Sequence, residues 1–361
     1  MKTFLPYVVI ALLVIIGGGL YIELTSHCDA ADPSCLRMGD RLFAPKEKDT
    51  NKNAELKDYG PAPEFTGITH WLGSDPLTLS DLRGRVVLVD FWTYSCINCI
   101  RTLPYVTKWY DMYKDKGFVV VGVHTPEFAF EKEAANVSSA MERYGIHYPV
   151  AQDNAYDTWN AYRNQYWPAE YLVDKKGHIV YEHFGEGQYD TTETVIRALL
   201  GIEGSKEAAS ASAYDLNQIG SPEVYFGALR NEFFGSGKPY VEGKKTFRVP
   251  LNIASNTLYL TGKWQIAKEF AENLEPASVV FRYRAKNVYL VASSAKAVTL
   301  SIHRDGQALP RDGWGRDASP DGVRIKEERL YQLIQGSAYG EHMLEIAVPG
   351  AGLRAFTLTF E

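Results

Sequence analysis

VVLVDFWTYSCINCIRTLP, residues 86–104, carries two of the chain's four cysteines, Cys96 and Cys99, just after an apolar run interrupted by one charge. That run follows Gly84 and has the continuous apolar character of a strand buried on both faces, while CIRTLPYVTKWYDMYKD takes up helical spacing. Cys96 therefore stands where strand hands over to helix. Unpaired N–H groups and the positive end of the helix dipole favour a thiolate there. A second thiol one turn further on is placed to attack a mixed disulfide formed on the first. A permanent disulfide gains little here, because the loop it closes is tiny.

Outward from this stretch, residues 61–202 alternate. GFVVVGVH (117–124) is a second buried strand and EKEAANVSSAMERYG (131–145) a helix ended by glycine. AEYLVD and GHIVYEHFG are strands joined by a turn at 174–177, and TTETVIRALLG is a last helix. The layout predicts an α/β domain with helices on both faces. Asp90, a carboxyl inside an apolar strand, is expected to hold its proton through desolvation and to exchange it with Cys99.

Asp90 six residues before Cys96, Pro104 five beyond Cys99, and Pro168 in YWPAEYLVD together resemble the thioredoxin-like proteins, in particular the membrane-tethered TlpA/ResA group. The resemblance implies a thiol-disulfide oxidoreductase with Cys96 as attacking and Cys99 as resolving thiol. It implies a cis-proline at Pro168 facing the pair, and Trp167 offering backbone groups to an extended substrate. Trp92 and Tyr94 would pack or line the groove rather than react, and Glu127, in an insertion spanning 126–150, would be an acid near the site. Protein thiols and disulfides, apocytochrome c among them, are the implied substrates, and a CcdA- or DsbD-like membrane protein the implied electron donor, with no cofactor and no metal. Ser95 replaces the family's usual tryptophan and Ile97-Asn98 its Gly-Pro type pair, so the direction of electron flow does not carry over. Two alternatives stay open. One is a peroxiredoxin-type peroxidase, since Thr93 lies three residues before Cys96, although its proline and arginine partners have no evident counterparts. The other is a binding or scaffold protein with a vestigial dithiol.

LPYVVIALLVIIGGGLYI (5–22) is uncharged and would span roughly 27 Å as a helix, enough to cross a membrane. Lys2 precedes it while Glu23, Asp29 and Asp32 follow, which predicts a single-pass anchor in the cytoplasmic membrane with the bulk of the chain in the periplasm or its extracytoplasmic equivalent. A cleaved signal is the rival, but no small-x-small site follows before Cys28. Cys28 and Cys35 suit a small disulfide, and their irregular spacing argues against zinc.

Beyond 215 the period changes to two. KTFRVPLNI, NTLYLTGKW, SVVFRYRAKNVYLVAS, AVTLSIHRDG, EERLYQLIQG, HMLEIAVPG and LRAFTLTFE predict a β-sandwich, jelly-roll-like domain. It resembles the carbohydrate-binding-module-like tail of DipZ-type thiol-disulfide proteins, which implies a carbohydrate or protein ligand. Trp264, Trp314 and Tyr240 are the candidates for stacking on a sugar, with core packing the commoner fate of such residues. The expected organisation is an anchor (1–24), a polar tether (25–58), a redox domain (59–203), a linker (204–215) and a sandwich (216–361). The sandwich is expected to fold on its own core, so that a chain ending near Gly204 keeps a folded redox domain. With 361 residues, 45% hydrophobic and 23% charged, both parts have material for cores. The net charge of −6 and the lack of a basic stripe exclude nucleic acid as the partner.

Overall fold

Continuous apolar runs become the middle of a six-stranded sheet: β1 (His70–Leu72), β2 (Val86–Trp92), β3 (Phe118–His124), β4 (Val150–Gln152), β5 (Ala169–Val173) and β6 (Ile179–Phe184). The computed structural model describes residues 56–203 and 218–361. The apolar run 5–22, the tether to residue 55, Cys28 and Cys35 lie outside the described residues. Among the described residues no helix is long and apolar enough to cross a membrane.

Strand order is β1-β4-β3-β2-β5-β6, with β2 parallel to β3 and antiparallel to β5. Both β2 and β3 are buried at every position, as their sequences predict. Helices α1 (Ile97–Tyr113), α2 (Ala134–Tyr144), α3 (Asp157–Ala161) and α4 (Tyr189–Leu200) cover the sheet. Leu88, Trp92 and Leu172 pack on one face with Cys99, Leu103 and Val106 of α1 and Ile196 of α4. Val87, Val89 and Phe91 pack on the other with Trp159 and Tyr171. Strands β1 and β4, three residues each, are too short to show a period in sequence. The helix expected from 131 starts at Ala134, and Glu131 falls in a separate 3₁₀ turn, Ala129–Lys132.

The β-rich half is built on two long antiparallel strands, Ala277–Ser294 and Arg329–Val348, with Leu353–Phe360 beside the first. Where sequence suggests two strands around Gly336 and Gly340, one runs through both. Burial along Ala277–Ser294 alternates as far as Asn287 and then becomes continuous. Val288, Leu290 and Ala292 face the β half's own core, while Tyr289 and Val291 join the core of the redox half.

A seam joins the redox half to the β-rich half. Tyr289, Val291, Leu330 and Phe356 belong to one apolar cluster with α1, Phe128 and Phe130, and residues 56–361 form one compact unit. The Phe356 ring lies 5.2 Å from Phe128 and 4.8 Å from Phe130. Polar ties flank it: Glu269 accepts from the Ala129 N–H at 2.9 Å, and Arg143 meets Glu327 at 3.0 Å. Phe356→Ala is expected to cost ~3–5 kcal/mol and to lower the denaturant midpoint of both halves in one transition. Two separate transitions, with the redox half unmoved, would show that the seam does not couple them.

Candidate active site

Strand β2 ends at Trp92 and the chain turns through Thr93–Ser95, so that Cys96 becomes the N-cap of α1. Its side chain makes no capping hydrogen bond, and its carbonyl accepts from the Ile100 N–H at 3.0 Å. Cys96 is half-buried and Cys99 fully buried, both as thiols. Burial pushes the Cys99 thiol well above its ordinary range, and the neighbouring Cys96 and Asp90 add to the effect. One sulfur is presented to a partner and the other is held protonated behind it, which is the asymmetry that two-step exchange needs.

Asp90 sits beneath Cys99 on the same sheet face as Leu88 and Trp92. Neither carboxyl oxygen has a hydrogen-bond partner, and burial raises it to about 7. Glu170, which sequence reasoning passed over, is its direct cross-strand partner on β5 and is raised to about 8, first by burial and then by Asp90. Its signal was present, since Glu170 interrupts an apolar strand just as Asp90 does.

Glu127 is not the acid closest to the cysteine loop. Its carboxylate is held by Arg230 at 2.7 Å and the Tyr225 hydroxyl at 2.8 Å, both from the β-rich half. Glu131 takes that place. It accepts from the Ser95 hydroxyl at 2.6 Å and the Ser95 N–H at 3.2 Å, and its other oxygen accepts from the N–H groups of Glu127 at 2.6 Å and Phe128 at 3.0 Å. Burial lifts it to about 7 against those four donors, which favour the charged form. Glu131 thus braces the residue before Cys96 against the segment that meets the β half.

Of the two fates expected for Trp92 and Tyr94, packing or lining the groove, the structure shows packing, with both fully buried. Both pack on His124, Tyr94 stacked at 5.7 Å and Trp92 edge-on at 5.1 Å. His124 stays neutral, burial lowering it to about 3. Thr93, the residue behind the peroxidase alternative, is buried with its hydroxyl 3.4 Å from His124 Nε2. The Trp167–Pro168 peptide is cis, and the Pro168 carbonyl accepts from the Gly185 N–H at 2.9 Å. Trp167 is partly exposed and lies on Trp159, ring centroids 4.3 Å apart. It lines a cleft of about 300 Å³ with Tyr156, Tyr225, Leu229, Arg230 and Lys268, so the two halves share its walls.

In the β half, Trp264 is fully buried and donates to the Thr261 carbonyl at 2.7 Å, which removes it as a sugar contact. Trp314 packs half-buried against the same core and donates to the Leu309 carbonyl at 2.9 Å. Tyr240 is 58% exposed, the only one of the three candidates on open surface.

Residues 58–200 match the Redoxin family and 221–360 the family described as thioredoxin like C-terminal domain. The chain is similar to Protein DipZ of Mycobacterium tuberculosis, 41% identical over 319 residues that cover 85% of this chain and 44% of that protein. It thus spans under half the length of that relative. It is also similar to the thiol-disulfide oxidoreductases YkuV of Bacillus subtilis (32% identity, 37% of this chain, 87% of YkuV) and ResA of Bacillus thuringiensis (29%, 44% and 83%).

Proposed function

Since the chain belongs to the thioredoxin-like thiol-disulfide oxidoreductases, we propose that Cys96 and Cys99 exchange two electrons with protein substrates while the β-rich half walls the substrate cleft. The half-exposed thiol at the start of α1, above a fully buried one, carries this reading. Cys96 attacks a substrate disulfide, forming a mixed disulfide and releasing one substrate thiolate. Cys99 then attacks the Cys96 sulfur, closing the Cys96–Cys99 disulfide and releasing the second. In the reverse direction the same steps oxidise a dithiol.

We place this chemistry outside the cytoplasm on a single-pass anchor. The uncharged stretch 5–22 and the acidic residues after it support that placement. A CcdA- or DsbD-type membrane donor and apocytochrome c remain the partners suggested by resemblance. We read the β-rich half as a folded-over, jelly-roll-like sandwich. Support comes from Ala277–Ser294, which changes from one buried face to two at its register shifts near Asn287. Its role is to position a partner, with the shared cleft as the point of contact. Equilibrating the full chain in graded thiol buffers tests the proposal. A single two-electron couple and thiol-dependent reduction of a protein disulfide are expected. A potential near about −270 mV assigns a reductase and one near about −120 mV an oxidase. A dithiol that neither oxidises reversibly nor forms mixed disulfides would leave only a binding role.

A further inference from the structure

The resolving step releases a proton in a place water does not reach. Cys99 is fully buried, and once Cys96 carries a substrate its outer side is covered as well. Asp90 is the group placed to take that proton, yet it too is sealed in, with no hydrogen-bond partner for either oxygen. A proton accepted there needs a way out.

Register supplies the next group. Asp90 on β2 is paired directly with Glu170 on β5, and alternation puts both on the face that carries Cys99: Leu88, Trp92 and Leu172 belong to the α1 core, while Val89, Phe91, Ala169 and Tyr171 face the other. Directly paired side chains on one face sit about 4.5–5.5 Å apart at Cβ. Glu170 is 1% exposed and one of its oxygens has no partner. The other accepts from the Thr192 hydroxyl of α4 at 3.2 Å, and the Tyr181 hydroxyl of β6 lies 3.0 Å from that of Thr192. Tyr181 is only partly buried. The remaining groups around the pair are Cys99 from α1, Tyr148 from the segment before β4, and His183, which pairs with Glu170 from β6 and which burial shifts toward its neutral form. No cation is among the groups acting on either carboxyl in the described residues.

We propose that Glu170 and Asp90 form one buried acid pair that shares a single proton, takes the proton of Cys99 during resolution and passes it out through Thr192 and Tyr181. Two buried carboxylates paired across the sheet without a cation do not both ionise, so the resting pair holds one proton and one charge. In the mixed disulfide Cys99–SH gives its proton to the Asp90 carboxylate. The Cys99 thiolate attacks the Cys96 sulfur, the Cys96–Cys99 bond forms, and the bond to the substrate sulfur breaks with its electron pair leaving on that sulfur. The pair, now doubly protonated, returns to its resting state by releasing a proton from Glu170 along the two hydroxyls. Glu170 is a positioning and relay residue here, since it is paired across the sheet with Asp90 and acts through it rather than on the reacting sulfurs. The inference rests on the exchange chemistry proposed above.

Reduced full-length protein mixed with excess 5,5′-dithiobis(2-nitrobenzoate) releases coloured thiolate twice: first as Cys96 attacks the reagent's disulfide, then as Cys99 attacks the Cys96 sulfur and closes the pair. Followed from pH 5.5 to 9 by stopped flow, Glu170→Gln is expected to leave the first phase unchanged. In its second phase the midpoint moves about one pH unit to the acid side, because the like charge is gone, and the plateau falls roughly tenfold, because the relay is cut. Thr192→Val, which keeps both carboxyls, lowers the plateau with the midpoint in place, and Thr192→Ser restores it. A Glu170→Gln second phase that superimposes on the wild type overturns the acid pair. A Thr192→Val protein with the wild-type plateau overturns the route outward. A wild-type protein with no second phase fails the exchange chemistry itself, a result distinct from either.

Discussion

Serine in place of Cys99 is expected to leave the protein covalently joined to its substrates, and serine in place of Cys96 to leave it inert. Cys96 opens α1 partly exposed and with no capping hydrogen bond from its side chain, whereas Cys99 is buried and its thiol is held protonated. Only the first can start an exchange and only the second can end one. Turnover should fall by at least ~10³-fold in both variants, as befits loss of a nucleophile. Non-reducing electrophoresis after mixing with a disulfide-bonded protein separates them: Cys99→Ser accumulates mixed disulfides that a reductant releases, and Cys96→Ser accumulates none. Equal trapping by the two would reverse or abolish the assignment.

Asp90→Asn should slow resolution by ~10²-fold at pH 8 and have little effect at pH 5.5. Burial holds the carboxyl up to about 7, so it accepts a proton above that pH and is already occupied below it. The same shift makes Asp90 a cost to the fold. An acid whose folded pKa exceeds its unfolded value of about 3.9 contributes its stability below the unfolded pKa, and that contribution is lost as pH rises through the folded one. Between about pH 4 and 7 the loss approaches ~4 kcal/mol, so the variant should gain on the wild type by up to that amount on going from pH 4 to 8. Denaturant unfolding at both pH values measures it. A stability gap that stays constant with pH would mean that Asp90 ionises freely in the native state.

The redox half was legible because its signals are local. Seven buried residues followed by Cys96 at a helix start announce themselves within one short stretch, and the resemblance placed the cis-proline at Pro168 where the structure has it. Asp90 was read because a carboxyl inside an apolar run is conspicuous. Glu170 offered the same signal in AEYLV, but its importance comes from lying beside Asp90, a pairing across 80 residues of chain that no local period reveals. Glu131 was hidden by a helix reading that gave it an ordinary helical position, when its carboxylate is turned inward to serve four donors. The seam was least legible, since Phe128 and Phe356 meet only in the folded chain. Its one trace was the passage of the strand at NVYLVAS from alternating to unbroken apolar character. Trp264 was over-read for the opposite reason: an aromatic in a strand looks alike from sequence whether it faces a ligand or the core.

The seam also sets an order of events during biosynthesis. The cysteines and the aromatic pair Phe128 and Phe130 are made long before Phe356, the ring that packs on that pair. At about 5–20 residues per second the delay is at least ~10 s, far longer than helices and hairpins need to form. For that interval the nascent chain carries the cysteine motif and an uncovered aromatic surface. The wait ends when the Leu353–Phe360 strand arrives, so closure of the seam lags synthesis of the cysteine motif.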